Sequence, residues 1–229
     1  MTARRVPSYK HVAYTKEDMT RVDPKPSRTQ KLQRLFEVAA GQSGYFTAAQ
    51  ARELGYSARS VLHHVAAGHF ERVSRGFYRL VGVPADPHED IVAAWLRFVP
   101  HRAVVSHDTA LALYDLAPSR SYEIHLTLPR KRRPRNPQAV GGVKLHTTSV
   151  PLRRDEVTTR FGVEVTSPAR TIADVAKIGV DPSVVIEAAV RALGTGLATP
   201  AELRVAVKHR SARVRRLVER AIREAGPRA

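Results

Sequence analysis

The chain contains no cysteine. That excludes disulfides, thiolate metal sites and a cysteine nucleophile. No run of about 18 apolar residues occurs, so no segment reads as a membrane-spanning helix. The first residues are basic and lack an apolar core, so a secretory signal is not expected and the cytoplasm is the expected compartment. No Gly-x-x-x-x-Gly-Lys-Ser/Thr loop is present to cradle phosphates. No Gly-x-Ser-x-Gly elbow is present to hold a serine nucleophile. Acidic residues are also scarce: 21 Asp+Glu stand against 38 Lys+Arg, a net charge of +17 with a pI near 11.0. Residues 1–85 carry 14 Lys/Arg and 6 Asp/Glu, and the rest carries 24 and 15, so both parts are basic. Such an excess points to a polyanionic partner, whether DNA, RNA or an anionic surface.

The stretch that gives the charge a structural context runs from Thr29 to Val83. Leu32, Leu35, Phe36 and Ala39 recur at helical spacing and predict a first helix that ends at Gly41. A short strand, Tyr45–Thr47, is expected next. Thr47 with Gln50 three residues on is a capping box, opening a second helix that stops at Gly55. Ser57 caps a third helix, which runs to Ala67-Gly68. Two short helices joined by a Gly-containing turn form a helix-turn-helix. Its second helix is expected to bury Ala58, Val61, Leu62 and Val65, and to present Ser57, Arg59, Ser60, His63 and His64 to phosphates and base edges. A two-stranded wing follows, Phe70–Val73 and Phe77–Val81 about Ser74-Arg75-Gly76. It carries Arg72, Arg75 and Arg79, which could hold the DNA backbone. Such units also serve as scaffolds or docking modules, in which His63-His64 is simply a solvated face.

Residues 1–28 read as a flexible basic arm, with one helical turn near Lys16–Met19. Pro84–Pro87 marks a boundary, and residues 86–229 read as a mixed α/β domain that ends in helices, so the fold class is α+β. Helices are expected over Pro87–Phe98 and from Ser106, as N-cap, to Leu116. Tyr122–Leu128 is a strand with Ile124, Leu126 and Leu128 inward and His125 and Thr127 outward. The run Pro129–Pro137 breaks the sheet as an exposed loop in which Arg130, Lys131, Arg132, Arg133 and Arg135 stand without a local acid. It is either a solvated hairpin tip or a polyanion-binding finger. A strand at Val143–Thr148 and a hairpin about Phe161-Gly162 follow. Four helices come last, starting at Pro168, Pro182, Pro200 and near Ser211.

No catalytic constellation emerges. His88-Glu89-Asp90 and His107-Asp108 are the densest potential ligand clusters, but neither has His-x-x-x-His spacing, so no metal or other cofactor is expected. Ser106, His107 and Asp108 are adjacent, but a triad needs spatial convergence, which adjacency does not give. Glu123 and Glu164 lack the acid-x-Lys spacing of a metal-dependent nuclease. An enzyme is therefore not expected.

Two stretches together carry a family resemblance. The winged segment, with SHDTALALYDLAP at Ser106–Pro118, the strand Tyr122–Leu128 and VEVTSPARTIADVAK at Val163–Lys177, resembles the AbiEi-type antitoxins of bacterial toxin–antitoxin operons. The resemblance covers roughly residues 29–225. It implies that residues 29–85 bind operator DNA with inverted repeats and repress their own operon. It further implies that residues 86–229 form an antitoxin domain that counters a nucleotidyltransferase toxin, in the type IV manner that needs no stable complex. The residues themselves leave two other readings open, a stand-alone winged-helix regulator and a basic RNA-binding protein.

Overall fold

Capping residues set where the helices begin. The computed structural model describes residues 27–84, 86–119, 121–135 and 142–226. Of the expected arm, only Ser27 and Arg28 lie among them, and the helical turn near Lys16–Met19 lies outside. Ser27 and Gln30 form a capping box, each side chain bonded to the other's backbone N–H, and start α1 (Arg28–Ala40). β1 (Tyr45–Thr47) follows, and Thr47 and Gln50 repeat the device for α2 (Ala48–Glu53). Ser57 Oγ accepts the Ser60 N–H at 3.0 Å and opens α3 (Ala58–Ala66). β2 (Phe70–Ser74) and β3 (Phe77–Leu80) turn at Arg75-Gly76. Where two paired strands were expected there are three, in antiparallel order β1-β3-β2, with β3 at the centre.

The remainder is a five-stranded mixed sheet with helices around it, so the described chain is α+β with two sheets. α4 (Glu89–Phe98) leads to β4 (Val104–Val105) and α5 (His107–Leu113). β5 (Ile124–Pro129), β6 (Val143–Thr148), β7 (Val157–Arg160) and β8 (Val163–Thr166) follow. The strand order is β6-β5-β4-β8-β7, with β5/β6 and β4/β8 parallel. α6 (Pro168–Lys177), α7 (Pro182–Thr195), α8 (Pro200–Val207) and α9 (Ala212–Glu224) close the chain, packed on one another. Three of these four helices have Pro at their first position, where the missing N–H is not needed. No helix among the described residues is long and apolar enough to cross a membrane.

Two hydrophobic clusters form. The smaller gathers Leu35, Ala39, Phe46, Tyr56, Val61, Phe70, Tyr78 and Leu80 between the first three helices and one face of the first sheet. The larger fills the rest of the molecule and includes Phe77, with Tyr45 packed on it. The period of two along a strand divides the labour. On β3, Tyr78 and Leu80 face the small core, while Phe77 faces α4, stacked on Tyr45 with ring centroids 5.2 Å apart and with Arg97 5.3 Å from its ring. A second contact joins the two parts. Gly162, in the β7–β8 turn, has φ +76, and a Cβ there would stand 2.1 Å from the Gly41 carbonyl oxygen at the end of α1. Only glycine fits that approach.

Several expectations change. Leu32 and Phe36 of α1 are exposed, because the small core reaches only the Leu35–Ala39 stripe. The strand Ile124–Pro129 is buried on both faces, His125 and Thr127 included, because residues of α5 and β6 cover the second face. Ser106 occupies the N-cap position of α5 but does not cap it: its Oγ accepts from the Thr127 hydroxyl at 2.8 Å. α5 ends at Leu113, and the left-handed Asp115 (φ +57) turns the chain so that Leu116 is buried without being helical.

Candidate nucleic-acid interface

α3 offers its exposed side from its first turn. Ser57, Arg59 and His63 are exposed and Ser60 is half-buried, one side of a nine-residue helix whose N-terminal N–H groups add a partial positive charge. Beside it lies the start of α1. Arg28 and Lys31 border, with Tyr56, Ser57, Arg59 and His63, a concavity of about 560 Å³. Lys31 Nζ donates to the Gly55 carbonyl at 3.0 Å and so fastens α1 to the turn between α2 and α3. Three cations therefore stand about one helix N-terminus. Sequence reading found Arg59 but missed Arg28 and Lys31, because their place here depends on how α1 crosses α3. The Ser27–Gln30 capping box was the available signal, since it puts Arg28 at the first helical position.

The phase of α3 differs from expectation by one residue. His64 is buried at 8% exposure and Leu62 is half exposed at 50%. The reason is aromatic packing: His64 stacks on Phe70 at 4.7 Å and meets Tyr56 edge-on at 5.8 Å. Its Nδ1 lies 3.3 Å from that of His69. Burial, followed by the charges of His69, Arg28 and His63, holds its pKa below the ordinary histidine value. His64 is thus a core residue, and its outward placement is corrected.

On the wing, Arg72 and Arg75 are exposed as expected. Arg79 is not. β3 is the central strand, and its outer face is covered by α4. Arg79 accordingly lies near the Tyr45 ring (5.7 Å), donates to the Val83 carbonyl at 2.9 Å and approaches Glu89 at 3.6 Å. It is a joint between the two parts of the molecule, not a free cation on the wing.

The basic run after β5 is a single 3₁₀ turn, Arg130–Arg132, followed by extended chain. Arg130, Lys131, Arg132, Arg133 and Arg135 are all exposed. Arg132 is anchored, with Nη1 donating to the Pro100 carbonyl at 3.2 Å and its own carbonyl 2.7 Å from His101 Nδ1. The run's continuation, 136–141, lies outside the described residues.

The motif around Pro168 resolves into a part-buried ion network centred on the buried Asp174. Arg170 Nε donates to Asp174 Oδ2 at 2.7 Å and its Nη1 to Glu156 at 3.1 Å, while Arg210 reaches the other Asp174 oxygen. Burial opposes the charge on Arg170, but Asp174 and Glu156 outweigh it and raise its pKa. The network borders a cavity of about 610 Å³, also lined by Arg130, His107, His146, Lys177 and His209. The two clusters singled out in the sequence do not assemble a ligand set. His88 instead packs against Phe161 at 4.3 Å. Among the described residues, the three ligand-type side chains that meet are His107, His125 and His146, whose separations along the chain carry no recognisable spacing.

Residues 33–81 match the family model described as "Transcriptional regulator, AbiEi antitoxin". The match runs from within α1 to just past β3 and contains α3 with Arg59, but not Arg28 or Lys31. That description is of a transcriptional regulator, and the match is confined to these residues. None of the curated proteins matches the chain. Among solved structures, the crystal structure of the RV2827C protein from Mycobacterium tuberculosis is similar over 86% of this chain and 77% of that one, with a TM-score of 0.54 and 12% identity. At that identity the likeness is one of fold alone.

Proposed function

We propose that this chain, whose residues 33–81 match the AbiEi-type transcriptional regulators, is a winged helix-turn-helix repressor of its own operon and the antitoxin to a nucleotidyltransferase toxin encoded there. The observation that carries the DNA-binding half is the cationic rim of α3. Arg28, Lys31 and Arg59 surround a helix N-terminus with Ser57, Ser60 and His63 beside it. An α-helix fits the major groove of B-DNA, and side chains from its first turns reach base edges. Arg72 and Arg75 lie on the hairpin side, where wings follow the phosphate backbone. The arginine turn at 130–135 supplies a further polyanion contact. Residues 86–229 carry the antitoxin role, which the sequence resemblance supports.

The test has two parts. Full-length protein is titrated against the duplex upstream of its own reading frame and against an unrelated duplex. Specific sites are bound at least about 1,000-fold more tightly than random ones in proteins of this kind, and equal affinity for both would remove the repressor reading. Tighter binding to RNA than to duplex DNA would favour the basic RNA-binding alternative. The neighbouring reading frame should encode a nucleotidyltransferase whose co-expression with this chain restores growth, and absence of such a gene or failure to restore growth would remove the antitoxin role while leaving the DNA reading intact. One observation favours a second reading, a stand-alone regulator that answers a small anion: the polar cavity bordered by Arg130, Lys177 and Arg210.

A further inference from the structure

Three histidines converge on one face of the second sheet. His125 lies on β5, and His146 lies on β6 opposite Thr127, so both side chains share a face. His107 follows β4 at the start of α5 and comes over the same spot. It does so with φ +52, a left-handed backbone that non-glycine residues adopt rarely. One ring nitrogen from each lies within 4.8 Å of the others. The ring centroids are 3.6 Å apart for His107–His146, 5.1 Å for His125–His146 and 6.0 Å for His107–His125.

Their hydrogen bonding is unusual for a protein interior. Buried polar atoms nearly always have partners. His125, at 2% exposure, has none on either ring nitrogen, and His146 Nε2 is also buried without one. His107 Nδ1 does have a neighbour, Ser106 Oγ at 2.9 Å, the same oxygen that accepts from Thr127. In the tautomer that donates Nδ1–H to Ser106, the lone pair of His107 Nε2 is left for another partner. A hydrogen bond on the far nitrogen is how proteins fix the tautomer and orientation of a metal-bound imidazole. Packing alone accounts for the stacked pair, but not for three histidines with a ring nitrogen of each within 4.8 Å of the others, two of them carrying buried nitrogens without a partner.

We propose that His107, His125 and His146 form a three-histidine site for a divalent transition-metal ion of the Zn²⁺ class. The donors are imidazoles with no thiolate and no carboxylate among them, a set that suits Zn²⁺, Co²⁺, Ni²⁺ or Cu²⁺ and not Mg²⁺ or Ca²⁺. Binding requires the stacked rings of His107 and His146 to fan apart. Three protein ligands leave a fourth position on a tetrahedral ion. His107 and His146 border the 610 Å³ cavity, so that position opens to it, among Arg170, Lys177 and Arg210. Asp174 and Glu156 pair with Arg170 and Arg210, and the positive excess that remains in the lining, with Arg130 and Lys177, favours water, hydroxide or a small anion as the fourth ligand. The ion ties β5 and β6 to the start of α5.

The experiment uses untagged full-length protein, stripped with a chelator and titrated with Co²⁺ and then Zn²⁺. The expected result is one Co²⁺ per chain with the intense visible absorption of a four-coordinate ion, displaced by Zn²⁺, and a higher Tm with metal than without. His146→Gln and His125→Gln should each weaken uptake at least about 100-fold, the upper end of what losing an outer-shell partner alone does. Far-UV circular dichroism reports whether each variant is folded, and the less buried His146 provides the variant expected to fold. The double variant His64→Gln/His69→Gln, which removes the other close histidine pair, should leave uptake unchanged. Absence of the four-coordinate spectrum and of Zn²⁺ uptake would overturn the proposal. So would uptake that survives both His125→Gln and His146→Gln, or that is lost with His64 and His69.

Discussion

The two sheets of this protein are built for different tasks. The first has three short strands, and one of its faces closes a small core of its own. Its other face, with Tyr45, Phe77 and Arg79, is covered by α4. The second sheet has five strands and both faces of its central strands are buried. The small part leaves its cationic helix face and its wing tip in solvent, while the large part supplies the packing. The lesson is that binding surface and stability are drawn from different ends of the chain, so substitutions should separate them.

The largest expected effect breaks the division at its seam. Phe77 belongs to β3 of the small part but is buried in the large core at 3% exposure. Phe77→Ala removes a ring from between them and should cost about 3–5 kcal/mol, the usual range for a buried Phe. Urea unfolding of the full chain measures it, and a loss below about 1 kcal/mol would mean that the two parts do not depend on each other.

Arg59→Ala should leave that unfolding curve unchanged and instead reduce operator preference by about 1–3 kcal/mol, the value of a good base contact. A duplex titration that shows unaltered preference would place recognition elsewhere than α3.

Acid sharpens the contrast. The pKa of His64 lies below its unfolded value of 6.5. Its contribution is complete above pH 6.5. Below that, the unfolded chain takes up a proton that the buried ring resists, so stability falls with pH by at most about 1.4 kcal/mol per unit. His64→Phe keeps the stack on Phe70 and should flatten this part of the pH profile relative to the unaltered chain. Identical profiles would contradict the burial of His64.

Arg75→Ala is the smallest change. Affinity for all duplexes should drop alike, and the salt slope should fall by about one unit. A shift in sequence preference at constant slope would give Arg75 a base-reading role.

Much of the architecture was legible because local chemistry announces it. The capping box at Thr47, the serine cap at Ser57, prolines at helix starts and glycines at turns placed nearly every element within a residue or two. What failed depended on neighbours far along the chain. The phase of α3 was misread because Leu62 is more apolar than His64, yet the aromatic slot between Tyr56 and Phe70 takes the imidazole. Arg79 was assigned to the wing because nothing local reveals that α4 covers that face. His125 was placed outward by strict alternation, which applies to half-buried strands and not to a central strand of a mixed sheet. The meeting of His107, His125 and His146 was invisible for the same reason: strand order, not spacing, makes it.

The alternation along β3 also limits how this protein can be recombined. A cassette cut at Val83-Pro84 and fused to a foreign partner would carry Tyr45 and Phe77 as a bare aromatic stack, with Arg79 parted from Glu89. Such a chimera invites aggregation. The transplantable unit runs to Phe98, so that α4 travels with the sheet it shields.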